Sequence, residues 1–229
     1  LYALAQGEAP LVVATADGLM ARTLPPETLR SLAITLEVGG QAELGALAEQ
    51  LLSAGYTRCE QVEGVGQFAL RGGILDVFSP LMDQPVRCEF FDDEIDSMGA
   101  FDPGTQRRTR NVSSARILPA AEVLPHCAPG GLPGLADQLT ALAEKLAKKQ
   151  KTEAIVQTLR EDAERLRSGA APGAADRYLA AIYPTVTAGV HYLPPDAVVF
   201  LSESGRVDER VKNTVLQQKQ DVEALLSAG

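Results

Sequence analysis

One short segment combines an arginine and an aromatic residue on what should be the outer face of a β-strand. Residues 85–91 read PVRCEFF. Side chains alternate between the two faces of a strand. Val86, Cys88 and Phe90 are therefore predicted to turn toward a core. Arg87, Glu89 and Phe91 are predicted to turn away from it. Phe91 is therefore predicted to lie on a polar face.

A second segment supplies another outward arginine. Residues 67–73 read QFALRGG, and two glycines end the alternation after Arg71. The same rule sends Phe68 and Leu70 inward, and it sends Gln67, Ala69 and Arg71 outward. Two strands would thus present two arginines and one phenylalanine from their faces away from the core.

These residue types suit a contact surface, because a planar guanidinium pairs bidentately with carboxylates and an aromatic ring fills a pocket. The alternation is therefore consistent with a protein-binding surface that contains Arg71, Arg87 and Phe91. A second interpretation is equally compatible with the pattern: the arginines pair with carboxylates on the sheet surface, and the phenylalanine packs under a neighbouring helix. The carboxylates concerned are Asp76, Glu89 and Asp92.

The charge of the chain argues against nucleic acid as its main direct partner. The sequence contains 21 Lys and Arg against 30 Asp and Glu, a formal net charge of -9. A protein that grips phosphates needs a basic surface. Direct DNA binding stays as the alternative function, and it would require a basic groove with aromatic side chains.

Size and composition indicate a folded chain. With 229 residues, of which 45% are apolar, it can bury a core in one large domain or two small ones. No stretch approaches the roughly 20 apolar residues of a membrane span, and no signal peptide is evident, so we expect a cytoplasmic protein. The 3 cysteines lack CxxC spacing, which favours free thiols. Because the chain opens with Leu-Tyr, we expect a piece of a longer protein.

No residue pattern supports catalysis. The phosphate-binding pattern GxxxxGK[ST] does not occur, which argues against ATP hydrolysis by this chain. The acidic run at residues 90–94 resembles the magnesium-holding end of a strand in nucleotide hydrolases, but it has no phosphate loop to work with. His126 and His191 lack a second ligand at metal spacing, and Ser202 lacks the glycine of a nucleophile elbow. The sequence predicts no catalytic residue, no metal site and no cofactor site.

Periodicity and turn residues predict alternating helices and strands. A strand at Leu11–Ala16 and another at Ala197–Leu201 are apolar enough to be buried. The other expected elements are a strand at 32–38, a helix at 42–54, a mostly antiparallel sheet between 56 and 119, amphipathic helices between 135 and 166, and a helix at 206–226.

Two long motifs resemble a known family. GQFALRGGILDVFSP at 66–80 and PVRCEFFDDEIDSMGAFDPGTQRR at 85–108 are similar to the module shared by bacterial transcription-repair coupling factors (Mfd) and the excision-repair subunit UvrB. The segments at 11–29, 176–184 and 192–203 also resemble the coupling factors. Because these segments flank the shared module, they favour the coupling factors over UvrB.

The resemblance implies a function. In that family the module binds the damage-recognition protein UvrA, and the UvrA-contacting residues match Arg71, Arg87 and Phe91. The interface interpretation of these residues is then favoured. The full-length family member is an ATP-dependent DNA translocase that displaces stalled RNA polymerase, with its ATP and magnesium sites in motor domains C-terminal to this region. A C-terminal domain of the family masks the UvrA surface.

The resemblance also implies a fold and its boundaries. The fold class is α/β, a degenerate helicase-like domain with a parallel sheet and an inserted α+β UvrA-interaction module that is mostly antiparallel. Residues 1–38 would form the first part of the helicase-like domain, residues 39–121 the inserted module, and residues 122–229 the second part with a helical stretch. The expected strands at 11–16 and 197–201 would belong to the parallel sheet.

Overall fold

The computed structural model describes residues 1–9, 11–148, 153–185 and 187–228. Its helices are α1 (Tyr2–Ala5), α2 (Ala16–Met20), α3 (Pro26–Ser31), α4 (Leu44–Ser53), α5 (Gly131–Ala147), α6 (Glu153–Arg167), α7 (Leu179–Ile182) and α8 (Ser204–Ala228). Its strands are β1 (Ile34–Glu37), β2 (Thr57–Arg58), β3 (Gln67–Arg71), β4 (Ile74–Val77), β5 (Val86–Phe91), β6 (Glu94–Phe101), β7 (Arg108–Asn111) and β8 (Ser114–Ile117). The chain divides into two compact units, Glu27–Cys127 and Leu1–Pro26 with Ala128–Gly229.

The unit Glu27–Cys127 is built on a six-stranded sheet in the order β2-β3-β4-β5-β6-β7. The β2–β3 pair is parallel, and the other neighbouring pairs are antiparallel. β1 and β8 form a separate two-stranded antiparallel sheet. These pairings confirm the mostly antiparallel sheet that the sequence predicts between residues 56 and 119.

Helix α4 covers one face of the large sheet. It begins where the Glu43 carboxylate accepts hydrogen bonds from the backbone N–H groups of Gly45 and Ala46, at 2.8 and 2.6 Å. It ends before Gly55, whose positive φ of 85° suits a glycine after a helix. Leu47 and Leu51 of this helix are buried against the apolar side chains of the strands, so the predicted helix is confirmed.

The opposite face of the sheet is also partly covered. A small cluster of buried residues, Val62, Ala69, Phe78 and Phe101, lies there. Ala69 lies on this outward face, as the alternation predicts, but it is buried because this second cluster covers it. The exposed polar part of this face therefore lies outside this small cluster, toward the sheet end that carries Arg71 and Phe91.

In the unit Leu1–Pro26 with Ala128–Gly229, the described secondary-structure elements are helices joined by loops. α5 and α6 pack against each other along apolar stripes, and Arg167 donates to the Thr140 hydroxyl across the pair at 2.9 Å. α8 packs on α2, where Asp17 accepts hydrogen bonds from Arg210 and Thr214, both at 2.7 Å. The predicted helix at 206–226 is therefore confirmed.

The two strands expected at Leu11–Ala16 and Ala197–Leu201 are absent, so both predictions are wrong. Neither segment is a strand, and residues such as Val13 and Phe200 are exposed. The physical reason is that a strand needs a neighbour for its backbone N–H and C=O groups, and no described strand lies beside either segment. The fold is mixed α/β, and among the described residues the only parallel strand pair is β2–β3.

Candidate protein-binding surface

A buried carboxylate joins the two arginines that the alternation turns outward. Asp76 lies on the central strand β4 and is completely buried. Arg87 is its direct partner on β5, and its Nε and Nη2 donate to the two Asp76 oxygens at 2.7 and 2.8 Å. Arg71, at the end of β3, donates from Nη2 to Asp76 Oδ2 at 2.9 Å. One carboxylate therefore holds two guanidinium groups side by side.

The geometry explains how a charge can be buried at Asp76. A buried carboxylate is costly unless it is paired and hydrogen-bonded, and here both oxygens accept from cations that reach solvent. The pairing also acts on the cation, because the hydrogen bonds that Arg87 donates to Asp76 raise the pKa of the Arg87 guanidinium. The three side chains therefore form a fixed, hydrogen-bonded cluster.

Arg87 is the more firmly held of the two arginines. Its guanidinium lies over the Phe101 ring, with Cζ 4.7 Å from the ring centroid. Its Nη2 is 3.5 Å from the side-chain oxygen Oε1 of Gln106. The amide nitrogen Nε2 of Gln106 in turn donates to the backbone oxygens of Val62 and Pro103 at 3.1 and 2.7 Å. The Arg87 side chain is 22% exposed, whereas that of Arg71 is 50% exposed. Arg87 therefore contributes more to the stability of the fold than Arg71 does.

Phe91 is not packed under a helix. Its exposed fraction is 76%, whereas Phe90 beside it packs against the core under α4. The Phe90 N–H donates to the Gly73 carbonyl at 2.7 Å, which ties the end of β5 to the turn that follows Arg71. Phe91 and Arg71 therefore lie at the same end of the sheet. We refer to Arg71, Arg87 and Phe91 as the arginine–phenylalanine surface.

The structure thus combines parts of both sequence interpretations. The arginines pair with Asp76, as the second interpretation expects, and they still reach solvent beside an exposed ring, as the first requires. Within the described chain, the Nη1 groups of Arg71 and Arg87 donate no hydrogen bond. Fixed cations with unused donors next to an apolar ring can bind carboxylates and an apolar pocket on another protein.

Other residues singled out in the sequence have local roles. Asp92 and Asp93 form the turn between β5 and β6, where Asp92 has a positive φ of 52°. Burial lowers the pKa of His126, and the His191 ring nitrogen Nδ1 accepts from the Ala188 N–H at 2.9 Å. Over the residues that the structure describes, no three His, Cys, Asp or Glu side chains form a group that could hold a metal ion.

Sequence reasoning missed several residues of this surface. Phe101 and Gln106 support Arg87 from β6 and from the loop after it, and Arg108 reaches Glu89 from β7 at 3.9 Å. The available signal was Gly99, a glycine inside a strand, since such a position marks the close approach of another group.

The chain is similar to known proteins over its whole length. Residues 34–123 match the family described as the UvrB interaction domain. The chain is 31% identical over 229 residues to a transcription-repair-coupling factor of Bacillus subtilis, covering 99% of this chain and 19% of that protein. It is 38% identical over 172 residues to the one from Myxococcus xanthus, covering 74% of this chain and 14% of that protein. It is 29% identical over 239 residues to the transcription-repair-coupling factor of Staphylococcus aureus (strain USA300), covering 100% of this chain and 20% of that protein.

These similarities confirm the resemblance seen in the sequence motifs. The chain spans a fifth or less of the length of these relatives. Among the described helices, none combines the length and apolar character needed to cross a membrane.

Proposed function

Because residues 34–123 match the UvrB interaction domain family, we propose that the arginine–phenylalanine surface docks UvrA, so that this chain recruits UvrA for transcription-coupled repair. The observation that carries the proposal is the exposed Phe91 ring at the same sheet end as guanidinium groups fixed by buried Asp76. The chain itself acts without catalysis in this role. Stalled RNA polymerase and DNA are engaged by other parts of the longer protein, which also masks this surface until it is needed.

The physical basis of docking is preorganisation. A free arginine loses side-chain entropy when it binds, whereas Arg71 and Arg87 are already held by Asp76. An exposed ring such as Phe91 gains affinity by leaving water for an apolar pocket. In this surface, the fixed arginines would orient the bound partner, and the Phe91 ring would provide most of the apolar binding energy.

We also infer that residues 1–38 and 122–229 form a degenerate helicase-like domain that carries residues 39–121 as an insertion. Support comes from the similarity to coupling factors over 229 residues rather than from the module alone. A structure of a longer chain tests this inference: residues 1–38 and 122–229 packed into one domain support it, and their separation into two domains contradicts it.

Titration of the chain with purified UvrA tests the docking proposal. Arg71→Ala and Phe91→Ala should each weaken binding at least about thirtyfold, because truncating hot-spot residues costs about 2 kcal/mol or more. Arg110→Ala is the matched control: Arg110 is exposed and pairs with Ala100, which places it on the other face of the sheet from Arg87. Circular dichroism confirms that each variant is folded. Unchanged affinity in both test variants would exclude this surface as the docking site.

A further inference from the structure

The side chain of Arg108 lies across strand β6, in the space left by the missing side chain of Gly99. We call this space the Gly99 slot. A Cβ atom at Gly99 would lie 1.9 Å from Nε, 2.7 Å from Cζ and 2.8 Å from Cδ of Arg108. No side chain fits there unless Arg108 moves. Gly99 pairs directly with Arg87, so this slot lies beside the arginine–phenylalanine surface and on the same face.

Because its side chain lies in the slot, the Arg108 guanidinium reaches Glu89 on β5. Its Nη1 is 3.4 Å from the Ser97 hydroxyl oxygen and 3.9 Å from Glu89 Oε1. Ser97 in turn donates to Glu89 Oε2 at 2.8 Å. Glu89 lies between Arg87 and Phe91 along the outward face of β5. The Arg108 guanidinium, which comes from β7 two strands away, therefore lies beside the arginine–phenylalanine surface.

Strand register gives the spacing of the cations. Arg71, Ile74, Glu89 and Ser97 are successive cross-strand partners on β3, β4, β5 and β6. With about 4.8 Å between neighbouring strands, Arg71 and Ser97 are about 14 Å apart. Arg71 therefore lies at one end of this row, and the Arg108 guanidinium lies near the other end.

The guanidinium groups on this face form a local row on an acidic protein. Arg71, Arg87 and Arg108 lie along this row, and two of them share the buried carboxylate of Asp76. The carboxylates that reach solvent on this face include Glu89, beside Arg108, and Glu94, opposite Phe91. The chain as a whole has a formal net charge of -9. A local cationic row on such a chain is complementary to carboxylates, and the Arg108 side chain is 35% exposed and can reach them.

We propose that Arg108, held in the Gly99 slot, is a third cationic contact of the arginine–phenylalanine surface, and that the surface binds an acidic face of its partner. This inference rests on the proposed docking of UvrA. It assigns the contact on UvrA to a region with at least two carboxylates, one near each end of the cationic row.

Arg108 variants test the contact and the chemistry of the partner. In UvrA titrations, Arg108→Ala should weaken binding about fivefold to tenfold, and Arg108→Glu should weaken it further because a carboxylate would then face carboxylates. Arg110→Ala, on the other face, should bind as the wild type does. The loss in Arg108→Ala should shrink at high salt, since an ionic contact is screened.

Gly99→Ala tests the slot. It should weaken binding to about the same extent as Arg108→Ala, and the double variant should be no weaker than either single one, because both changes remove the same contact. If Gly99→Ala fails to fold by circular dichroism, Arg108→Ala and Arg108→Glu decide the inference alone.

The outcomes separate this inference from the function on which it rests. Wild-type affinity in Arg108→Ala together with weak binding in Phe91→Ala would overturn the role of Arg108 and leave the docking proposal intact. Equal affinities of Arg108→Ala and Arg108→Glu for UvrA would overturn the proposal that this surface binds an acidic face of its partner. Wild-type affinity in Arg71→Ala, Phe91→Ala and Arg108→Ala would overturn the docking proposal itself.

Discussion

Asp76 and Arg87 form a bidentate pair between adjacent strands, with one member completely buried and the other reaching solvent. Nε and Nη2 of Arg87 meet the two oxygens of Asp76 at 2.7 and 2.8 Å. The pair belongs both to the fold and to the proposed docking surface, because the same carboxylate also holds Arg71. Stability and binding are therefore coupled at this position.

Asp76→Ala should be strongly destabilising. It leaves the partly buried Arg87 without its carboxylate, and removing one partner of a buried pair costs about 3 to 5 kcal/mol. Urea unfolding measures this as a fall in the free energy of unfolding. Asp96→Ala is the control, because Asp96 is exposed on β6, and its effect should be within about 0.5 kcal/mol. Equal effects of the two substitutions would show that the Asp76 pairing contributes little.

Arg87→Ala should destabilise the fold more than Arg71→Ala does. Without Arg87, Asp76 loses two of its three charged hydrogen bonds and Phe101 loses the cation over its ring. The half-exposed Arg71 contributes about 1 kcal/mol or less. In thermal unfolding, Arg87→Ala should therefore have a lower melting temperature than Arg71→Ala. The reverse order would contradict the larger contribution of Arg87 to stability.

Cys88 should resist alkylation in the native protein. Burial raises the pKa of its thiol to about 12, so almost no thiolate is present at pH 8. In a Cys59→Ser/Cys127→Ser variant, where Cys88 is the remaining thiol, the rate with iodoacetamide should be at least about a hundredfold slower than in urea. Mass spectrometry over time measures both rates. Comparable rates in the native and unfolded chain would contradict the burial.

The free energy of unfolding should fall between pH 10 and pH 12. Burial raises the pKa of Tyr56 to about 12, above its ordinary value of 10.0. A raised pKa means that the stabilisation is complete below pH 10 and is lost as the pH rises toward 12. Urea unfolding across this range should therefore show a smaller decline in Tyr56→Phe than in the wild type.

Tyr178 provides a second contribution of the same sign. Burial is the main cause that raises the pKa of Tyr178 to about 12, and its hydroxyl donates to Asp162. The Tyr56→Phe/Tyr178→Phe variant should accordingly decline less than either single variant. If neither substitution changes the slope against pH, other groups control alkaline unfolding.

Several features of this chain follow from local pattern. The alternation of PVRCEFF and QFALRGG assigns Arg71, Arg87 and Phe91 to one sheet face, because side-chain direction repeats every two residues along a strand. α4 and its end before Gly55 follow from apolar spacing and from a glycine at positive φ. These are properties of short segments, so they can be predicted before any tertiary contact is known.

Tertiary structure decided which partners those side chains meet. Strand register places Asp76 opposite Arg87, and the Gly99 slot brings Arg108 to Glu89 from β7. The same dependence explains the wrong strand predictions at 11–16 and 197–201, where the apolar pattern is present and the described chain provides no neighbouring strand. Alternation determines the face on which a residue lies, but pairing and burial depend on residues distant in sequence, so only the folded chain specifies them.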